Sequence, residues 1–585
     1  MFTYPEKFDI IVIGGGHAGT EAALAAARMN ARTLLITQDL DTISQMSCNP
    51  SIGGVGKGQI VREIDALGGQ MGKTTDIAAI NYHMLNTSKG PAVHSPRAQC
   101  DKKLYQFTVK RVLESRKNLK IIQDEATDIW ISGSQIRGIC TLRGTRYEGK
   151  ILIITAGTFL KGIIHIGLKS FAGGRYYHYP SNHLSKSIKS LGINMGRLKT
   201  GTPMRLNGRT INFSVCTEQK SDGKPFSFSL FSQVKKEKYL SCWITKTNAH
   251  LAEIIRKNLD KSPLYSGKIK SIGPRYCPSI EDKIVKFPHH ESHHIFLEPE
   301  GLNTHEYYVN GLSTSLPEEV QIEMVRSIKA MRKAEILRPG YAIEYDFAYP
   351  IQLKKNLESK IVENLFMAGQ VNGTTGYEEA AAQGLMAGIN AVRKLKRKKP
   401  LTLSRDEAYI GVMIDDLITK NVDEPYRMFT ARAEYRLLLR WQNADLRLIK
   451  YGFENGLIAE KHKKNFLAYS ALVTELRENP RKKVNAPDIT PWSLEMAQRE
   501  AQIQFDYAPY IERNIKEAEK LKRLEHISIP EDTDYWRLNI SLESRQKLQK
   551  VMPKTIAQAS RIPGIKPSDI QLLIINIEKQ YAIKR

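Results

Sequence analysis

A chain of 585 residues with 41% apolar and 25% charged residues can build several domains with substantial cores, which excludes a globally disordered protein. Its 87 basic residues against 61 acidic ones leave a net charge of +26, a field that draws polyanions such as nucleic acid or an anionic membrane. The six cysteines are scattered and none is spaced as C-x-x-C, which argues against a zinc knuckle or a thioredoxin-like site and predicts a reduced, cytoplasmic protein. The N-terminus has no basic segment followed by an apolar core, so no signal peptide is expected. No apolar run is long enough to span a bilayer, and the best candidate, Ile10 to Ala27, is broken by three glycines, His17 and Glu21.

The first apolar run, Phe8-Asp9-Ile10-Ile11-Val12-Ile13, ends in Gly14 and reads as a buried parallel strand. An Ala-rich helix follows over 19–30, and Thr33 to Thr37 gives a second strand. Ile151 to Ile154 is another buried strand, closing at Thr155-Ala156-Gly157-Thr158. From about 200 to 345 the texture changes to Phe, Tyr, Ser, Lys and His in alternating runs, which predicts an inserted α/β domain. Leu365 to Ala368 is a further strand ending at Gly369-Gln370, and the Ala-rich segment 378–392 reads as a helix. The basic run 393–399 before Pro400 marks a boundary, and beyond it helix signals dominate at 406–420, 430–450 and 512–525. The expected fold is α/β: a Rossmann-type domain split between 1–200 and 345–400, an inserted α/β domain over 201–344, and a C-terminal all-α domain over 401–585.

Gly14-Gly15-Gly16-His17-Ala18-Gly19 fits G-x-G-x-x-G and lies between a strand and a helix, the context that gives the pattern meaning. Gly14 permits the tight turn, Gly16 lets backbone approach a pyrophosphate, and Gly19 lets the helix pack closely so that its first N–H groups face the phosphates. The second strand ends Thr37-Gln38-Asp39, with Asp39 near, but not squarely at, the place of a ribose-holding acid. A start at the first strand, with another glycine-ended strand far downstream at Gly369, favours FAD over NAD. A second Gly-rich loop, Gly53-Gly54-Val55-Gly56-Lys57-Gly58, lacks the P-loop order and reads as backbone lying close to the flavin.

Longer motifs go further. They include Ser47-Cys48-Asn49-Pro50-Ser51-Ile52-Gly53-Gly54, the run from Gly273 to Lys283, Phe296 to Gly301, Arg338 to Asp346, Gly373 to Gly384, Glu424 to Thr430, and Ala559 to Gly564. Together they resemble the MnmG/GidA family of tRNA uridine 5-carboxymethylaminomethyl modification enzymes over nearly the whole chain. The resemblance implies an FAD-dependent enzyme acting on the wobble uridine of certain tRNAs. NADH would reduce the flavin, methylenetetrahydrofolate would supply a one-carbon unit, and glycine or ammonium the amine. It also implies a homodimer that joins a GTPase partner, MnmE, in a heterotetramer. By the same resemblance FAD would be held by Gly14, Gly15, Gly16, His17, Ala18, Gly19, Ala126, Ser181 and Gln370. The nicotinamide segment would be Gly273, Pro274, Arg275, Tyr276, Cys277, Pro278, Ser279, Ile280, Glu281, Asp282, Lys283, Ile284, Val285, Lys286 and Phe287.

The chemistry so implied needs a nucleophile. Uracil C5 is unreactive until a group adds at C6, and a thiolate suits that task because it attacks and leaves again. Cys48, in a Gly-rich loop near the flavin site, and Cys277, beside the Arg275 cation, are the candidate catalytic thiols, with their individual roles left open. Cys100, Cys140, Cys216 and Cys242 read as core. His289, His290, Glu291, His293 and His294 do not form H-E-x-x-H and read as a solvated loop, so no metal site is expected.

For RNA, Arg432, Arg436 and Arg440 at spacing four are expected on one helix face, with Arg427 nearby and Tyr426 and Tyr435 as stacking surfaces. Three alternatives fit less well. A folate-dependent tRNA uridine methyltransferase is disfavoured by the long segment 401–585, a flavin-bound RNA scaffold without turnover by the two thiol motifs, and a fumarate-reductase-type dehydrogenase by the charge of +26.

Overall fold

The computed structural model describes residues 1–583 apart from 134, 223–225, 233–238, 276, 277, 291, 421, 485, 487 and 488. Its centre is a parallel sheet in the order Leu119–Gln123, Thr33–Thr37, Phe8–Ile13, Thr145–Ile154, Leu365–Met367. Ile10 to Ile13 register with Thr33 to Ile36 on one side and with Ile151 to Ile154 on the other. These residues are buried without a break along each strand, and a strand covered on both faces has no need to alternate. The helix His17–Arg28 starts two residues earlier than expected, with Gly16 as its N-cap. It packs on the late helix Tyr377–Leu395, where a side chain at Gly384 would come within 1.9 Å of the Ala18 carbonyl oxygen. The strand–glycine–helix units at residues 8–28 and 365–395, far apart in sequence, are thus neighbours in one layer.

The borders expected at 200 and 345 fall inside the strands Met195–Thr202 and Tyr341–Ala348, which pair antiparallel along their whole length. This strand pair, a stem joined on its far side by Ile163–Ile166 and Lys169–Ala172 to make a four-stranded sheet, carries the chain out of the first domain and back. Beyond it, six strands form an antiparallel sheet in the order Thr217–Gln219, Cys242–Lys246, His294–Pro299, Glu306–Asn310, Arg205–Asn207, Ile336–Arg338. The helices Ala249–Lys257, Ile280–Lys286 and Glu318–Ser327 cover one face and build a separate core with Leu251, Ile255, Ile280, Ile284, Val320 and Met324.

The C-terminal part is helical. Tyr409–Thr419 is buried in the main core, whereas a distinct bundle core forms from Ile529, Leu548, Ile556, Leu573 and Ile577. The helix expected over 430–450 is a correction. Thr430–Arg432 is a short 3-10 turn, irregular turns follow, and the helix Ala444–Glu454 begins only afterwards. The segment is held by long-range ion pairs and lacks a continuous run of i,i+4 backbone bonds: Arg405 reaches Asp415, Asp416 and Glu434, and Arg440 is buried against Glu500. Among the described residues no helix is long and apolar enough to cross a membrane.

Candidate functional site

The C-terminal ends of the parallel strands open into a cavity of about 560 Å³, well within the size range of small-molecule sites. Gly14, Gly15, Gly16, His17 and Ala18 form one wall. A Cβ built on Gly16 meets no atom within 4 Å, so this glycine leaves open the space in front of the first helix N–H groups. Gly19 does the other job: its Cβ would stand 1.8 Å from the Gly14 carbonyl oxygen, so only glycine lets helix and strand meet here. The Thr155 hydroxyl closes the neighbouring strand end by donating to the Ile13 oxygen at 2.7 Å. An open cradle over helix amides, which a Cβ at Gly16 would fill, is the geometry a pyrophosphate requires. The residues present therefore fit a dinucleotide.

The remaining expected FAD positions come to the same cavity. Ala126 starts the strand Ala126–Ser132, Ser181 caps the helix Asn182–Ser190, and Gln370 stands after the late strand with its amide donating to the Tyr345 hydroxyl at 3.1 Å. Asp39 lines the cavity but is turned locally, accepting from the Asp41 amide at 2.8 Å and lying 3.6 Å from His178. Glu125, beside Ala126, is a second carboxylate on this wall, and burial raises its pKa. Gly53, Gly54 and Val55 line the opposite end. That loop is tied to the late helix by Lys57, whose ammonium lies 3.1 Å from Glu378 and 3.2 Å from Glu379, and by the Gly53 amide donating to Glu378 at 2.7 Å.

Cys48 also lines the cavity. Its amide donates to the Tyr377 hydroxyl at 2.6 Å, and the ring of Tyr377 stacks on His17 at 4.5 Å. Burial pushes the His17 imidazole down to about 3, so it is neutral. Arg205 donates to the carbonyls of Ser47 and Cys48, and Arg175 donates to the Ser47 hydroxyl at 3.1 Å. The loop bearing the thiol is thereby pinned from both domains.

Residues 9–399 match the glucose inhibited division protein A family, and residues 517–585 match the C-terminal helical bundle of the tRNA modifying enzyme MnmG/GidA. The chain belongs to the GidA family. It is 50% identical to the tRNA uridine 5-carboxymethylaminomethyl modification enzyme MnmG of Thermodesulfovibrio yellowstonii, with all of both chains covered. It is 49% identical to the MnmG of Endomicrobium trichonymphae, covering 98% of this chain and 97% of that one. The crystal structure of Aquifex aeolicus GidA, form I, superposes with a TM-score of 0.90 at 49% identity over 98% of this chain and 100% of that one.

In this member of the GidA family the remaining expected site residues fall in different places. Cys277 and Tyr276 lie outside the described residues. Of the segment Gly273 to Phe287, Pro274 lines the cavity, but Ile280 and Ile284 are taken up by the core of the inserted domain. Glu281 there accepts from the Thr314 hydroxyl at 2.7 Å, and the Arg275 cation lies against Glu424 at 3.3 Å. Arg432, Arg436 and Arg440 do not form a ladder, because no helix is present: Arg436 is exposed, Arg432 lies over the Tyr426 ring at 4.2 Å, and Arg440 is 2% exposed. Tyr426 and Tyr435 are buried, with the Tyr426 hydroxyl donating to Asp416 at 2.9 Å, so neither offers a face to a base. Arg427 does line the cavity. Sequence reasoning missed Tyr308 and Arg175, neither of which sits in a local pattern that signals the contact it makes. Tyr177 and Tyr179 stand 86% and 82% exposed on either side of His178, a cavity-lining residue.

Proposed function

We propose that this chain is an FAD-dependent enzyme that builds a carboxymethylaminomethyl or aminomethyl group onto C5 of the wobble uridine of certain tRNAs. Its co-substrates would be methylenetetrahydrofolate, NADH, and glycine or ammonium. The observation that carries this reading is convergence: Gly16, Ala126, Ser181, Gln370 and Cys48 come from five separate segments and line one cavity. The names of the full-length relatives support the substrate, and the match of the helical bundle favours this reading over the methyltransferase alternative.

FAD, when bound, supplies the redox chemistry through which a one-carbon unit is transferred. The protein's own groups have separable tasks. The N–H groups opening the helix His17–Arg28 would face the pyrophosphate, with Asp39 or Glu125 at the ribose. The Cys48 thiolate would add at uracil C6, and Cys277 would share the acid, base or nucleophile duty. The neutral His17 and the ring of Tyr377 stacked on it would wall this region from water. Arg427 and Arg436 would contact tRNA phosphates, and Tyr177 and Tyr179 would supply the stacking faces that Tyr426 and Tyr435 cannot. A homodimer joined to the GTPase MnmE, working in the cytoplasm, completes the proposal. Nucleoside analysis of wobble uridines in cells lacking the protein tests it: loss of the modified nucleoside, restored by the wild-type gene, is expected, and an unchanged profile would overturn it.

A further inference from the structure

The strand Glu306–Asn310 alternates between two environments. Tyr307 and Val309 point into the core of the inserted domain. Glu306, Tyr308 and Asn310 point the other way and line cavities at the domain junction. This alternation carries the Tyr308 phenol to Cys48, 260 residues away in sequence, with its oxygen 2.9 Å from the sulfur. Cys48 is also fixed at its other two polar groups. Its amide donates to Tyr377 at 2.6 Å, and its carbonyl accepts from Arg205 at 3.3 Å. The same Arg205 guanidinium lies 4.9 Å from the centre of the Tyr308 ring, and is anchored by Glu300 at 3.1 Å, which in turn holds Lys102 at 2.6 Å. Among the described residues, the charged and titratable groups that face Cys48 include Tyr308 from this strand, Arg205 from the adjacent one, Tyr341 from the stem and Tyr377 from the late helix.

We propose that Tyr308 is a positioning residue of the thiol site, donating a hydrogen bond to the Cys48 sulfur and holding it in the ionised form that attacks. This rests on the reading of Cys48 as the attacking thiol. Either partner of a thiol–phenol contact can donate, but an ionised sulfur has no proton, so the phenol must. A hydrogen bond to a charged acceptor is stronger than one to its neutral form, so the contact favours the thiolate. Arg205 fixes the plane of the donor ring and the carbonyl beside the acceptor, so that the donor–acceptor distance is set by both domains together.

The test uses the full-length protein and follows iodoacetamide alkylation of the Cys48 peptide by mass spectrometry across pH. Tyr308→Phe keeps the ring and removes the donor. The alkylation rate near neutral pH is expected to fall about tenfold, with the profile moved to higher pH. Tyr307→Phe, on the opposite face, is expected to match wild type. Should Tyr308→Phe fail to fold, 3-fluorotyrosine at position 308 keeps the structure and supplies a more acidic donor, and the profile is expected to move to lower pH. A profile that stays in place with either change overturns the inference. A displaced profile in a protein whose Cys48→Ser variant still modifies tRNA fully would overturn the role of Cys48 and leave the hydrogen bond standing.

Discussion

Replacing Gly16 and Gly19 by alanine separates binding from folding at one loop. Gly16 has extended backbone, φ −76° and ψ −174°, which any residue adopts, and its Cβ would meet nothing within 4 Å. As the N-cap it loses about 1 kcal/mol at most on becoming alanine. The new methyl group would stand where the pyrophosphate needs to meet the helix amides. Each charge-assisted hydrogen bond so lost is worth about 1.5–3 kcal/mol, so FAD affinity should weaken tenfold or more while the apoprotein keeps its stability. Gly19→Ala does the reverse. Its Cβ would lie 1.8 Å from the Gly14 oxygen, where real contacts almost never fall below 3.0 Å, so helix and strand must part by more than 1 Å. That should cost roughly 3 kcal/mol in the apoprotein itself. Urea unfolding of the apoproteins and FAD titration by fluorescence quenching measure both quantities. If Gly16→Ala bound FAD as tightly as wild type, or destabilised the apoprotein as much as Gly19→Ala, the pyrophosphate would not lie where this geometry puts it.

Arg436→Glu should weaken tRNA binding and shallow its salt dependence with the fold intact, whereas Arg440→Glu should unfold the protein by breaking a buried ion pair with Glu500, at about 3–5 kcal/mol; filter binding at several salt concentrations, with circular dichroism, tells them apart. Tyr177→Ala combined with Tyr179→Ala should cost about 1–3 kcal/mol per stacked base and leave the salt slope unchanged, and wild-type affinity in that variant would remove the tyrosines from the interface. Burial holds His17 at about 3 against an ordinary 6.5, so between those values the unfolded chain takes up a proton that the folded chain does not. This contribution to stability is therefore fully present above 6.5 and lost as pH falls toward 3. His17→Gln should flatten the acid branch of the apoprotein's urea midpoint against pH; an identical branch would show that other groups govern it.

The parts of this molecule that depend on local pattern were legible in the sequence. Ile10 to Ile13 and Leu34 to Ile36 are strands because unbroken apolar runs bounded by turns have few other solutions, and Gly16 and Gly19 announce their tasks through their position between strand and helix. The family resemblance pointed further to Ala126, Ser181 and Gln370, and all three line one cavity. What was not legible is set by contacts distant in sequence. The turns after Thr430 override a helix-like spacing of arginines because Arg440 finds Glu500 and Arg405 finds Glu434. Those partners lie on other segments and leave no local trace. Ile280 and Ile284 have ordinary helical spacing, and only the sheet beneath them decides that they face a core. The approach of Tyr308 to Cys48 depends on how the inserted sheet is seated against the first domain, which neither segment encodes alone.

The central claim is that the cavity before the first helix holds an isoalloxazine dinucleotide beside Cys48. The most direct measurement is the visible spectrum of the purified protein after saturation with FAD and removal of free cofactor. The account predicts a yellow protein with one flavin per chain that bleaches on addition of NADH. A colourless protein that retains no flavin would contradict it.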